Sequence, residues 1–319
     1  MPAMTTPTDT RRTLMTVHAH PDDETIGTGG VMAKAIQDGH RVVLVTGTRG
    51  EQGEIVVPEL DTPDNHRRLG ELRAAELEAA LGELGVTEWE NLGYRDSDMM
   101  GRVGNVDPRC FWQADLDEAA GRLTWLVRKH RPDVMTTYNA FGGYGHPDHI
   151  RTHDVAVRAY ARAGDPAWYP SQLAPEDGGT GPAAADGGLA PWTPLKLYET
   201  AIPASVRQGM AARLEAIGES SFWSEPKDAS PEELQAFQER MAKMLVPDDA
   251  ITTWVDVDGV LERKWAAIGR HATQMSPQNP FLRFGLNAWR DFWGREAFVL
   301  IDARIPTSLP ETDLFAGLT

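Results

Sequence analysis

The run Arg41-Val42-Val43-Leu44-Val45-Thr46 limits the possible folds more than any other segment. Four apolar residues in succession suit a strand covered on both faces, because a half-exposed strand alternates apolar with polar positions. Short β-rich runs and longer helical patterns alternate around it. Leu14 to His18 reads as a strand, and Gly30 to Gln37 reads as a short helix closed by Gly39. Arg68 to Leu84 places Leu69, Leu72, Leu77, Leu81 and Leu84 at roughly helical spacing and stops at Gly85. Another helix is expected from Asp115 to Lys129, followed by Pro132 and a strand from Asp133 to Tyr138. This rhythm predicts an α/β fold with right-handed crossovers and a mainly parallel sheet.

The 319 residues suit one large domain or two modest ones. From Ser171 to Pro194 the composition turns to Gly, Pro, Ala and Asp without periodicity, as in a surface loop. The expected organisation is an α/β unit over 1–170, this loop over 171–194, and a smaller mixed α/β portion over 195–319. In the last portion Leu195 to Ala201 and Ile251 to Val257 read as strands. Ala204 to Ile217, Glu232 to Met244 and Leu261 to His271 read as helices. Trp254, Trp265, Trp289 and Trp293 read as core anchors rather than as a ligand platform.

Charge and cysteine content narrow the function. Lys and Arg number 31 against 47 Asp and Glu, a net charge of −16 that is wrong for gripping phosphate backbones and makes nucleic acid an unsuitable partner. The single cysteine, Cys110, reads as an inert buried thiol; it can form neither an internal disulfide nor a cysteine-rich zinc site, so any metal must rest mainly on His and carboxylate. No apolar run approaches the ~18 residues of a membrane span. Met1 to Arg12 lacks the pattern of a signal peptide, so a soluble cytoplasmic protein with no membrane contact is expected. A homo-oligomer is left open.

The densest chemistry lies in His18-Ala19-His20-Pro21-Asp22-Asp23-Glu24, where an expected strand ends and a helix begins. In a parallel sheet this is the carboxyl edge, where ligand sites form. Gly142-Gly143-Tyr144-Gly145-His146-Pro147-Asp148-His149 follows another expected strand, so the two loops can face each other across one edge. Imidazole and carboxylate donors suit zinc or another divalent first-row metal, iron(II) included. His153 would share a helical face with His149, as an outer partner.

These two loops resemble the signature motifs of the zinc-dependent N-deacetylase family that includes the PIG-L and LmbE-like proteins. Within that family the chain is most similar to the actinobacterial mycothiol enzymes, which comprise N-acetylglucosaminyl-inositol deacetylases and mycothiol S-conjugate amidases. The resemblance continues through Gly47 to Ile55, Arg95-Asp96-Ser97 with Met99, His271 to Gln274, and Pro310 to Gly317. It implies a Rossmann-like sheet, one zinc ion held by His20, Asp23 and His149, and Asp22 as general base. It also implies His146 as electrostatic stabiliser and proton donor, Asp148 as the group orienting it, and Tyr144 on the acyl oxygen. Arg68, Asp96, Glu54 and Met99 match positions associated with an amino-sugar substrate. On the residues alone, Arg68 belongs equally to a solvated helix face with Glu71, Arg73 and Glu76; Asp96 and Ser97 could form a turn or cap; Glu54 could be an exposed loop carboxylate.

Two departures matter. Asn139 stands where the family usually has Asp. Gly27 and Gly145 stand where the amidases resemble one another in a lysine and a proline, which favours the sugar deacetylase branch. The expected activity is removal of acetyl from an N-acetylglucosamine compound, most similar to N-acetylglucosaminyl-inositol. The amidase reaction at the same nitrogen, a deacetylase of another such compound, and an inactive metal-bearing binding protein are the alternatives.

Overall fold

A computed structural model describes residues 11–173, 188–219, 223–227 and 229–318. Most of the Gly/Pro-rich loop read from Ser171 to Pro194 lies outside these residues, as do Met1 to Thr10 and Phe222. The strands are β1 Thr13–His18, β2 Arg41–Thr46, β3 Glu88–Asn91, β4 Val134–Thr137, β5 Lys196–Pro203, β6 Leu245–Val246, β7 Thr253–Asp256 and β8 Arg295–Ala303. Helices of the first half are α1 Asp23–Gly27, α2 Gly29–Gln37, α3 Pro63–Arg67, α4 Leu69–Leu84, α5 Leu116–His130, α6 Gly142–Gly145 and α7 Pro147–Arg162. The second half adds α8 Ala204–Ala216, α9 Pro231–Met244, α10 Leu261–Ile268, α11 Pro280–Arg283 and α12 Gly285–Trp293.

The sheet runs β3-β2-β1-β4-β5-β8-β7, with β6 paired to β5 off this path. Pairings from β3 across to β5 are parallel, and β8 is antiparallel to both β5 and β7. The central strands are covered on both faces, as the unbroken Val/Leu run requires. Leu14, Val42 and Leu44 face one core with Met32 of α2, Leu77 and Leu81 of α4, and Ala267 of α10. Met15, Val17, Val43 and Val45 face the other with Leu123 and Val127 of α5 and Val155 and Ala159 of α7. Edge strand β3 is half-exposed and carries Glu88 and Glu90, which pair with Arg41 and Lys129. Charge on an edge opposes pairing with another chain.

The sheet order reverses between β1 and β4. Chain from β1 passes outward to β2 and β3, then returns to the far side of β1 as β4. At such a switch point the loops leaving the two strands splay apart and open a crevice at their carboxyl ends. Both His/Asp loops leave from there.

The C-terminal strands extend this same sheet through β5, β8 and β7, and buried ion pairs fasten them to the first half. Lys264 of α10 is fully buried and donates from Nζ to Glu296 Oε1 at 2.7 Å and to the Ile26 carbonyl at 3.0 Å. Glu296 of β8 in turn accepts the N–H groups of Gly30 and Val31 at the start of α2, at 2.7 and 2.8 Å. Lys264→Met strands one carboxylate oxygen of this network without a cation. The expected loss is about 3 kcal/mol of unfolding free energy, as for other broken buried pairs. A denaturant midpoint unchanged from wild type would show that the pair carries no stability.

Candidate metal centre

His20 lies just beyond the end of β1, and Asp23 opens α1. The chain turns between them at Asp22, whose φ of 111° is rare for a residue with a side chain and is held by its surroundings. Its N–H donates to Glu24 Oε2 at 2.8 Å, and its carbonyl accepts from Thr25 and Ile26. The His20 N–H donates to Asp23 Oδ2 at 2.9 Å, which turns that carboxylate back over the strand end.

The second loop approaches from β4. Gly145 has φ 94°, and a Cβ there would meet the Phe141 ring at 2.9 Å, so glycine alone fits this backbone. His146 then caps α7, its Nδ1 accepting the Asp148 N–H at 3.1 Å, and His149 falls in the first turn of that helix.

Three donor atoms from the two loops form a nearly equal-sided triangle. His20 Nδ1 is 3.4 Å from Asp23 Oδ2, His149 Nε2 is 3.3 Å from Asp23 Oδ2, and His149 Nε2 is 3.3 Å from His20 Nδ1. Ligand atoms about 2.0–2.1 Å from a tetrahedral zinc ion stand about 3.3–3.4 Å apart, so the residues fit such an ion. Donors of His20, His146 and His149 also lie within 4.8 Å of one another, as do those of His20, Asp96, His146 and Asp148. In those sets His146 Nδ1 is taken by a backbone N–H, and Asp148 is taken by His20 and Ser97. The triangle is therefore the better candidate.

Outer contacts set the tautomers. Asp148 is fully buried; its Oδ2 lies 3.1 Å from His20 Nε2 and accepts the Ser97 N–H at 2.9 Å, and its Oδ1 takes the Ser97 hydroxyl. A carboxylate there places the imidazole proton on Nε2 and leaves Nδ1 a free lone pair. The carboxylate of Asp148 thus sits on His20, and His146 receives from Asp148 only its backbone N–H. That N–H makes Nδ1 an acceptor, so a neutral His146 carries its proton on Nε2. Burial, then charge on His20 and His149, holds His146 well below the ordinary imidazole range. The N–H of this neutral ring is a donor. His149 stacks on Tyr138 with centroids 4.2 Å apart, while its buried Nδ1 has no hydrogen-bond partner among the described residues.

Asp22 is flanked by charge. Burial pushes its carboxyl up to about 6, against the pull of Arg73, whose Nη2 is 3.1 Å from Oδ1. Sequence reading placed Arg73 on a solvated face, yet it is 4% exposed. Its guanidinium also bonds the carbonyls of Gly50 and Pro21, and a Cβ on Gly50, at φ 68°, would collide with it. The missed signal was spacing: Arg73 is four residues from both Leu69 and Leu77, on the buried stripe of α4. Glu24 and His271, both wholly buried, form a second support, with Oε1 and Nε2 2.9 Å apart behind the Asp22 turn.

The remaining candidates scatter. Asp96 is buried 3.8 Å from His20 Nε2, its oxygens accepting the N–H groups of Gln52 and Asp98. Tyr144 is 39% exposed, with its hydroxyl 3.5 Å from His149 Nε2. Arg68, Glu54 and Met99 are exposed, and Glu54 lies 3.9 Å from Arg102. His18 stays inside the fold, bonded to Thr28 and Tyr138, and His153 bonds the Tyr138 carbonyl instead of the triangle. Asn139 Oδ1 accepts the N–H groups of Phe141 and Gly143, bracing the glycine loop without a charge. No described helix is long and apolar enough to cross a membrane.

Residues 15–160 match the family model described as GlcNAc-PI de-N-acetylase, PIG-L. A 1D-myo-inositol 2-acetamido-2-deoxy-alpha-D-glucopyranoside deacetylase from Geodermatophilus obscurus is 41% identical over 96% of this chain and 98% of its own. The enzyme of the same name from Thermomonospora curvata is 41% identical over 97% of this chain and 98% of its own. Among solved structures, the N,N'-diacetylchitobiose deacetylase of Pyrococcus horikoshii is 20% identical with a TM-score of 0.58, covering 91% of this chain and 84% of that one. A 4-carboxy-2-hydroxymuconate hydratase from Pseudomonas putida, 18% identical, has a TM-score of 0.55 over 93% of this chain and 99% of its own. These two likenesses show the fold, which does not by itself choose a reaction.

Proposed function

The chain belongs to the GlcNAc-PI de-N-acetylase (PIG-L) family, and on that premise we propose that it is a zinc-dependent hydrolase removing acetyl from an N-acetylglucosaminyl-inositol. The observation that carries this reading is the triangle of His20, Asp23 and His149 donors beside a half-buried Asp22. Relatives at 41% identity over nearly the whole chain carry that substrate in their names.

His20, Asp23 and His149 would hold the metal, which when bound supplies Lewis-acid chemistry, acidifying water and polarising an acyl oxygen. Asp22 accepts the proton of the attacking water, and Arg73 keeps this carboxylate oriented and ionised. The neutral Nε2–H of His146 and the Tyr144 hydroxyl donate to the oxygen that gains charge as the carbonyl carbon turns tetrahedral. Asp96 serves the sugar, and the exposed Arg68, Glu54 and Met99 are further candidates for contacting it. The departing amine takes up a proton, and acetate leaves.

Asp148 holds His20 in the tautomer the metal requires. Asp148→Asn is therefore expected to weaken zinc affinity about 10–100-fold, the usual effect of losing a carboxylate behind a ligating histidine. Competition with a chromophoric chelator measures it, and an unchanged affinity would remove Asp148 from this role.

The deciding experiment is amine release from N-acetylglucosaminyl-inositol and from a mycothiol S-conjugate, side by side, with zinc-loaded protein. The acetyl compound is expected to turn over at least about tenfold faster. At Gly145 a φ of 94° is closed to proline, which is locked near −65°, so the amidase-like sequence would force a different loop. Faster cleavage of the conjugate would reverse the assignment. Tight zinc binding with no amine release from either compound would make this a binding protein.

A further inference from the structure

A cavity of about 380 Å³ adjoins the donor triangle, with Asp23, Tyr144 and His149 among its lining. Ile202, Met244, Val206 of α8, and Trp289 and Trp293, which stack with centroids 4.1 Å apart, also line it. This volume is in the range of pockets that hold drug-sized ligands, far more than an acetyl methyl fills.

Three of the polar groups along its wall are already engaged. Glu296 is bonded to Lys264 and to two backbone N–H groups, Arg207 donates to the Trp223 carbonyl, and Asn139 braces the glycine loop. The rest of the lining is mainly aliphatic and aromatic, so a sugar or inositol ring placed there would bury hydroxyls against apolar walls, a costly arrangement. Asp22, Asp96, His146 and Arg73 do not line it, so the polar face of the centre lies elsewhere.

We propose that this cavity receives the acyl side of the scissile amide, and that the enzyme takes N-acyl glucosamine compounds whose acyl group is a straight aliphatic chain longer than acetyl, up to about eight carbons. The inference rests on the amide-hydrolase reading above and extends it from acetyl to a class of acyl groups. With the sugar on the Asp96 side, the acyl carbon faces the opposite way, toward Tyr144 and the apolar walls. Methionines such as Met244 adapt to chains of different length. The bond broken is the same C–N amide bond: water supplies hydroxyl to the acyl carbon and a proton to nitrogen, and the proton of the acid so formed passes to the amine, releasing a fatty carboxylate and a protonated amine.

The test uses N-acetyl-, N-butanoyl-, N-hexanoyl- and N-octanoyl-glucosaminyl-inositol with zinc-loaded full-length protein, measuring amine release. The expected result is a rise in kcat/KM of about threefold for each methylene added up to hexanoyl, as burial of apolar surface dictates. A fall of tenfold or more from acetyl to hexanoyl would overturn the proposal while leaving the deacetylase reading intact. Failure of every compound, acetyl included, would defeat that reading and this proposal with it. Val206→Trp should then lower the hexanoyl-to-acetyl ratio of kcat/KM at least tenfold. The ratio is taken within one protein, so partial misfolding does not affect it. A ratio equal to that of wild type would place the chain outside the cavity and overturn the proposal.

Discussion

Replacing His149 with alanine is expected to give a folded protein that purifies without zinc and hydrolyses the acetyl compound at least about a thousandfold more slowly. Deleting Nε2 removes one corner of a triangle with 3.3–3.4 Å sides and leaves two protein donors, fewer than catalytic zinc sites use. His20→Ala should do the same and also deprive Asp148 of its imidazole partner. Elemental analysis of the purified variants, with circular dichroism to show an unchanged fold, checks both. His146→Ala is the contrast, because Nδ1 of that residue already accepts a backbone N–H. It should keep its zinc and lose turnover. Normal zinc content in His149→Ala together with zinc loss in His146→Ala would move the centre to the set containing His146.

Asp22→Asn should leave zinc bound and lower kcat by about 10²–10⁴-fold, the usual contribution of a positioned base. Asparagine has the same shape, tolerates the positive φ, and can still face Arg73 through an oxygen, but it cannot take a proton from water. The wild-type pH profile has a definite sign. A base must be ionised, so with a carboxyl pushed up to about 6 by burial the rate falls as pH drops through that region. The Asn variant should lose this acid limb along with the rate. Near-normal kcat in Asp22→Asn would transfer the base function to another residue.

Legibility followed the range of the interactions. The Val/Leu run of β2 carried the information that both faces are covered, since hydrophobic pattern is a local record of burial. Helix stops at Gly85 and starts at Asp115 were equally local, because capping is chemistry between residues three or four apart. Strands β3 and β8 were not read: Glu88–Asn91 has an edge strand's charges and little apolar signal, and Arg295–Ala303 becomes a strand by pairing with β5 and β7. Arg73 was misplaced for a related reason. Its charge suggested solvent, and only the approach of Gly50, Pro21 and Asp22 shows why a guanidinium is stable on a buried stripe.

By itself the sequence determined the alternation of strands and helices, the absence of a cysteine-based metal site, and the two His/Asp loops as the places where chemistry concentrates. Those properties depend on residue type and short spacing. Tertiary structure alone decided which atoms of those loops converge. It set His20 Nδ1, Asp23 Oδ2 and His149 Nε2 at one ion's spacing, turned the Asp148 carboxylate onto His20, and opened an apolar cavity on one side of the centre. The physical reason is the switch in strand order between β1 and β4, which brings residues about 130 positions apart to a common crevice.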